Sequence, residues 1–201
     1  ILAIPSDDFR IAIIDDGEGL GRDELMHAMR LGSTDPRCKR NLNDLGRFGL
    51  GLKTASFSQC RRLTVVSKKN GEVNAFTWDL DLVASENKWT VLEQKRTDVI
   101  PFIGEMYETG TLALWEKLDR LTGVNGSGKA NYDRIISEAQ DYLSLVFHRY
   151  LAGERGLKRI KVNVNNRTLD PIDPFNVSNQ ATQPSPVENV CPGVTMQAFT
   201  L

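Results

Sequence analysis

Little in this sequence points to a membrane, a nucleic acid or a metal. No apolar run approaches the roughly 20 residues that a membrane-spanning helix needs, and no signal-peptide pattern is visible. Lys and Arg number 25 against 26 Asp and Glu, a net charge of -1, so no overall basic field exists to hold a polyanion. The local exception is Lys158, Arg159, Lys161 and Arg167, which read as the solvated face of a strand. Only three cysteines are present, Cys38, Cys60 and Cys191. Their odd number and wide spacing argue against a disulfide framework and fit free thiols in a reducing cytoplasm. The two histidines, His27 and His148, have no cysteine or carboxylate pair at metal-ligand spacing, and no Ser/His/Asp or Cys/His set can be assembled.

What is present is enough for a packed domain. Apolar residues make up 40% of 201 positions and charged ones 25%, outside the disordered range. The chain opens on Ile1-Leu2-Ala3-Ile4 and stops at Met196 to Leu201 in strand-like sequence, so it is expected to be a piece of a longer protein.

Phe9 to Ile14 is an apolar, β-rich run that ends at the turn Asp15-Asp16-Gly17. Asp23 to Leu31 has a helical pattern with acidic residues in its first turn. Gly32 to Leu45 is polar and reads as a loop or lid. Leu52 to Phe57 reads as a short helix. Arg62 to Lys68 and Glu72 to Leu80 are β runs joined by Asn70-Gly71, a strong hairpin signal. Lys88 to Glu93 and Thr111 to Trp115 add two strands, with Trp78, Trp89 and Trp115 expected in the core. Asn131 to Tyr150 is the longest amphipathic helix, and Ile160 to Val164 alternates as a strand before the turn Asn165-Asn166. The order predicts an α+β fold, a layered sandwich with antiparallel hairpins rather than a doubly wound parallel sheet.

Three short stretches carry chemistry. In Asp15-Asp16-Gly17-Glu18-Gly19 a strand ends in a carboxylate and turns through two glycines. A carboxylate fixed at a buried strand end accepts a hydrogen bond from the exocyclic amine of adenine and repels the carbonyl that guanine presents there. Asp and Gly are also ordinary turn residues, and Asp16 is a rival for the contact, although the D-x-G-x-G spacing favours Asp15. The second stretch is Gly46-Arg47-Phe48-Gly49-Leu50-Gly51, directly before a helix, where successive N–H groups can wrap an anion and Lys53 can add positive charge. A dinucleotide fingerprint is similar but needs a strand just before it, and Arg37 to Leu45 is too polar for one. The third is Gly110-Thr111, a strand start whose hydroxyl can reach a base directly or through water. Gly123 to Ala130 nearly matches a P-loop, but Ala130 replaces the hydroxyl that would meet Mg²⁺.

Taken in this order, the three stretches resemble the boxes of the GHKL ATPases, the Bergerat-fold group of gyrase, heat-shock-90-type chaperones, sensor histidine kinases and MutL. Asp15-x-Gly17-x-Gly19 looks like the adenine box, Gly46-x-x-Gly49-x-Gly51 like the phosphate-lid box and Gly110-Thr111 like the last box. Leu31-Gly32-Ser33-Thr34, followed by Gly46 to Gly51 and Leu52-Lys53, is most similar to the Microrchidia-like branch.

The resemblance implies a two-layer α/β sandwich with a mixed, mainly antiparallel sheet over residues 1–120. A long helix and the start of a transducer-like, ribosomal-S5-like domain would fill 121–201. It implies ATP and Mg²⁺ as ligands, with Asp15, Gly17, Gly19, Ser33, Gly46, Arg47, Phe48, Gly49, Leu50, Gly51, Leu52, Lys53 and Thr111 at the nucleotide. It also implies a homodimer driven by lid closure, with a DNA or protein client left open and no membrane. The family's first helix, which supplies a Mg²⁺-binding Asn and a water-activating Glu, has no counterpart in Ile1 to Asp8. Hydrolysis is therefore left open. A non-hydrolysing, nucleotide-regulated interaction module and a histidine kinase catalytic domain remain as alternatives.

Overall fold

A computed structural model describes residues 1–4, 9–32, 49–119, 128–177 and 179–200. Two compact units divide the chain, Ile1–Ile135 and Ile136–Leu201.

The first unit is built on a six-stranded sheet. Its strands are β1 (Leu2–Ile4), β2 (Arg10–Ile14), β3 (Arg62–Lys69), β4 (Glu72–Asp79), β5 (Leu92–Glu93) and β6 (Gly110–Glu116), in the order β1-β2-β6-β3-β4-β5. Among the described strands every neighbouring pair is antiparallel, in keeping with the mainly antiparallel α+β sheet expected. The centre of the sheet is β3, whose Leu63, Thr64, Val65 and Val66 are all buried. Successive side chains of a strand point to opposite faces, so one face carries Leu63 and Val65 and the other carries Thr64 and Val66.

Helices cover the first face. Helix α1 (Arg22–Met29) buries Leu25 and Met29 there, beside Phe76, Trp78 and Ala113 of the sheet. Helix α2 (Gly51–Phe57) adds Phe57, whose ring meets Trp78 edge-on at 6.4 Å. The second face packs Val66, Ala75, Leu112 and Leu114 against Ile100 and Met106, from a segment holding two 3-10 turns (Thr97–Val99 and Ile103–Glu105). Each such fully buried aliphatic side chain stabilises by about 1.5–3 kcal/mol. At the centre of the sheet Thr64 and Thr77 share a hydroxyl contact of 2.8 Å, and Gln94 donates to Thr77 at 2.9 Å.

The Asn70-Gly71 hairpin forms as expected. Both residues take positive φ, 53° and 80°, and Lys69 faces Glu72 across a two-residue loop. Three expectations need correction. Glu72 to Leu80 stops at Asp79, because Leu80 begins a helix, α3 (Leu80–Glu86), whose N-terminal cap is the Asp79 carboxylate accepting from Asp81 N–H at 3.1 Å. The strand expected over Lys88 to Glu93 shrinks to Leu92–Glu93, paired with Phe76 and Thr77. Trp89 is not a core strand residue: it is 66% exposed and leans edge-on against buried Trp78 at 5.7 Å.

The second unit contains most of α4 (Gly128–Val146), then α5 (His148–Ala152), where one continuous helix to Tyr150 was expected. The strand expected over Ile160 to Val164 is reduced to β7 (Asn163–Val164), paired with β8 (Arg167–Thr168) across Asn165-Asn166. Short pairs follow: β9 (Gln183–Pro184) with β12 (Phe199–Thr200), and β10 (Glu188–Cys191) with β11 (Val194–Met196). No helix among the described residues is long and apolar enough to cross a membrane.

Candidate functional site

Strand β2 delivers Asp15 to the end of the sheet, next to β6. The ladder continues one step past Ile14, with Asp15 N–H donating to the Thr111 carbonyl at 2.9 Å. The side chain returns the bond: Asp15 Oδ1 accepts from Thr111 N–H at 3.2 Å and from Gly17 N–H at 2.8 Å. One carboxylate oxygen is thus clamped by two backbone donors. Among the described residues the other oxygen has no hydrogen-bond partner. Asp15 stands exposed, not at a buried strand end as expected. The Asp16 carboxylate makes no hydrogen bond among the described residues.

The glycines of this turn are dictated by close approach. A Cβ on Gly19, at φ +69°, would overlap the Lys68 carbonyl oxygen and lie 2.9 Å from its carbon. A Cβ on Gly110, at φ +132°, would overlap the Asp15 carbonyl oxygen and lie 3.0 Å from its carbon. On Gly17 it would sit 2.7 Å from Asp15 Oδ1. Residues 15–19, 68 and 110 therefore interlock at a spacing that no side chain permits.

Thr111 brings its hydroxyl to 3.4 Å from Ser67 Oγ. Ser67 was not singled out in the sequence, yet it is fully buried and accepts from Leu20 N–H at 2.7 Å while lying 3.2 Å from the Gly110 carbonyl it can donate to. A signal for it did exist. Along β3 the face carrying Leu63 and Val65 next presents Ser67, a break in an apolar alternation with no turn to explain it. Register then aligns Thr111, Ser67 and Asn74 on neighbouring strands, with Asp15 completing the row.

The turn leads directly into α1. Glu24 accepts from Gly21 N–H and from Lys69, both at 2.8 Å, which fixes the helix start to the β3–β4 hairpin. These two partners hold the Glu24 carboxyl below its ordinary value, Lys69 contributing most. Arg22 forks onto Glu93 at 2.7 and 2.8 Å and so joins the same helix start to β5.

Of the Gly-rich loop, Gly49 to Lys53 is described; Ser33, Gly46, Arg47 and Phe48 lie outside the described residues, as does most of the Gly123 to Ala130 stretch. Gly49 takes φ +62°. Leu50 caps α2, and its carbonyl accepts from Thr54 N–H at 2.9 Å. Leu50 and Leu52 are exposed, Gly51 opens the helix, and no neighbour crowds it. Lys53 is placed differently from a surface phosphate ligand: it is 2% exposed, and its ammonium donates to the Ala28 carbonyl at 2.5 Å, with burial lowering its pKa. It ties α2 to the last turn of α1.

The donor set fits the base of a nucleotide. Asp15 offers an anchored acceptor, and Thr111 a hydroxyl beside it. Among the described residues no three His, Cys, Asp or Glu side chains stand together as a cation site.

Comparison with known proteins gives the family of the domain. A family model described as "Histidine kinase-, DNA gyrase B-, and HSP90-like ATPase" matches residues 2–106, just over half of the 201-residue chain. The chain belongs to this family of GHKL-type ATPase domains. Within that class it is similar to ATPase morc-1 of Caenorhabditis elegans, 30% identical over 139 residues, a match covering 56% of this chain and 15% of that protein. The chain thus spans a small part of that relative's length.

Proposed function

We propose that this chain binds ATP with the adenine amine on Asp15 and the phosphates at the Gly46 to Lys53 segment. The observation that carries the reading is the Asp15 carboxylate, clamped through one oxygen by the Thr111 and Gly17 N–H groups. A fixed anion at that point welcomes an N–H donor and rejects a carbonyl, which selects adenine over guanine. Thr111 supplies a second polar contact to the base. The exposed start of α2 supplies N–H groups for phosphate, and Ser33, Arg47 and Phe48 belong to the same reading through the family.

Lys53 enters as the residue that braces α2 against α1. A direct phosphate contact would require its ammonium to leave the Ala28 carbonyl. Mg²⁺, which the family implies, would supply charge neutralisation at the phosphates. In this reading ATP closes the Gly32 to Leu45 segment over the phosphates. Closure favours a homodimer, and residues 121–201 begin the transducer that passes the state on, in the cytoplasm, to a DNA or protein client.

The test is calorimetric titration of the intact, full-length protein with ATP and GTP, for wild type and Asp15→Asn. Loss of a charge-assisted hydrogen bond, about 1.5–3 kcal/mol, predicts roughly 10- to 150-fold weaker ATP binding. Equal ATP affinity in the two proteins would remove Asp15 from this role.

A further inference from the structure

We infer that Ser67 is the positioning residue of the base pocket, and that its buried hydroxyl sets how sharply the site distinguishes adenine from guanine. The inference rests on the ATP-binding reading above and goes beyond it to a residue on a strand that none of the three sequence boxes includes.

Three chain segments meet at the proposed base site: the Asp15 to Leu20 turn, the end of β3 and the start of β6. Ser67 is the side chain that touches all three. Its oxygen accepts from Leu20 N–H at 2.7 Å, a short bond to the last residue of the turn. It lies 3.2 Å from the Gly110 carbonyl and 3.4 Å from Thr111 Oγ1. A serine hydroxyl has one hydrogen and two lone pairs, so these neighbours can use its whole capacity. The residue is 0% exposed, which keeps water from replacing any of the bonds.

The bonds matter because of what they hold. Asp15 owes its orientation to Thr111 N–H, and the backbone carrying that N–H is fixed from below by Ser67 through the Gly110 carbonyl. The other end of the turn is fixed by Ser67 through Leu20. Gly19 and Gly110 sit in contact with the Lys68 and Asp15 carbonyls on either side, so little other freedom remains. Ser67→Ala leaves Leu20 N–H without its partner and removes the side-chain bond to the Gly110 carbonyl, so the Gly110-Thr111 start is held to β3 by the strand ladder alone. The Asp15 carboxylate can then turn to suit other donors or withdraw from a carbonyl. A pocket loosened in this way loses affinity for the right base and gains tolerance of the wrong one.

The experiment uses the intact, full-length protein and compares wild type, Ser67→Ala and Ser67→Thr for binding of ATP, GTP and inorganic tripolyphosphate. Loss of one buried hydrogen bond predicts about 5- to 30-fold weaker ATP binding in Ser67→Ala. The ATP-to-GTP affinity ratio should narrow, tripolyphosphate binding should stay within twofold, and Ser67→Thr, which keeps the hydroxyl, should recover most of the ratio. If Ser67→Ala does not fold, Ser67→Cys carries the same comparison, being of similar shape but a weak hydrogen-bonding group. An unchanged ATP-to-GTP ratio in the folded variant overturns the assignment, as does an equal loss for ATP, GTP and tripolyphosphate, which marks general loosening. Wild type that binds no ATP overturns the underlying reading as well. Wild type that binds while the Ser67 variants match it overturns this inference alone.

Discussion

Gly19→Ala and Gly71→Ala add the same methyl group at similar positive φ, +69° and +80°, but into different surroundings. At Gly71, on the tip of the β3–β4 hairpin, nothing lies within 4 Å of the new Cβ. The penalty there is the left-handed conformation alone, about 1–2 kcal/mol. It is offset by about 0.4–1 kcal/mol from the stiffer unfolded chain, so a net loss of about 1 kcal/mol is expected. At Gly19 the Cβ overlaps the Lys68 carbonyl, which cannot retreat because Lys68 is paired with Val73 on one side and Gly110 on the other. The turn must move instead, and it pulls Leu20 N–H from Ser67. A buried donor left without its partner loses about 1–3 kcal/mol, and overpacking adds about 1–3 kcal/mol. Gly19→Ala should therefore exceed Gly71→Ala by about 3 kcal/mol in urea unfolding of the intact protein, at unchanged m-value. It should also weaken ATP binding, which Gly71→Ala should not. Equal stabilities within about 1 kcal/mol would refute the interlocked turn.

Other expectations follow from single interactions. Burial alone would raise the Asp79 carboxyl, but Lys117 at 2.9 Å and the Asp81 and Leu82 N–H groups outweigh it and hold it below the ordinary 3.8. Its folded value is depressed, so its stabilisation is present above about pH 3.8 and lost as pH falls through the folded value. Asp79→Asn, which still caps α3, should flatten urea midpoints across that acid window. An unchanged slope would show that Lys117 exerts no hold. The Cys60 thiol is fully buried and pushed up to about 12 by that burial. In a Cys38→Ser background, Ellman's reagent at pH 8 should label exposed Cys191 promptly and Cys60 only in denaturant; two prompt thiols would contradict the packing. Leu63→Ala, at a fully buried site in the centre of β3, should lose about 2–5 kcal/mol in the same unfolding assay. A loss under about 1 kcal/mol would mean that this core collapses around the gap.

Much of the sheet and half of the candidate site could be read from the sequence because their signals are local. Asn70-Gly71 between two β-branched runs has few outcomes other than a hairpin. Asp15 to Gly19 after an apolar run has few outcomes other than a turn at a strand end. What escaped was set by partners distant in sequence. Ser67 gains its role from Leu20 and Gly110, 47 and 43 residues away, and only the strand register brings them together. Lys53 looks like a phosphate cation at a helix start until α1 folds over it and offers the Ala28 carbonyl. Helix α3 was hidden because Asp79-Leu80-Asp81-Leu82 alternates like a strand; the cap at Asp79 and the left-handed Asn87 at its end decide the matter. Trp89 was assigned inward on its chemistry, yet one edge against Trp78 satisfies it while the rest faces solvent.

Three consecutive residues of β3 hold the Asp15 to Leu20 turn and the start of α1: Ser67 takes Leu20, the Lys68 carbonyl packs on Gly19, and Lys69 takes Glu24. A strand shifted by one position turns every side chain to the opposite face. The β3–β4 hairpin therefore works as a ruler for a pocket whose own motifs lie elsewhere in the chain. Extra residues placed at its open tip, between Asn70 and Gly71, leave the ruler unmoved, whereas a single residue inserted between Val66 and Lys69 would shift every mark on it. In a library of random insertions, nucleotide-binding survivors should be frequent at the tip and absent three residues before it.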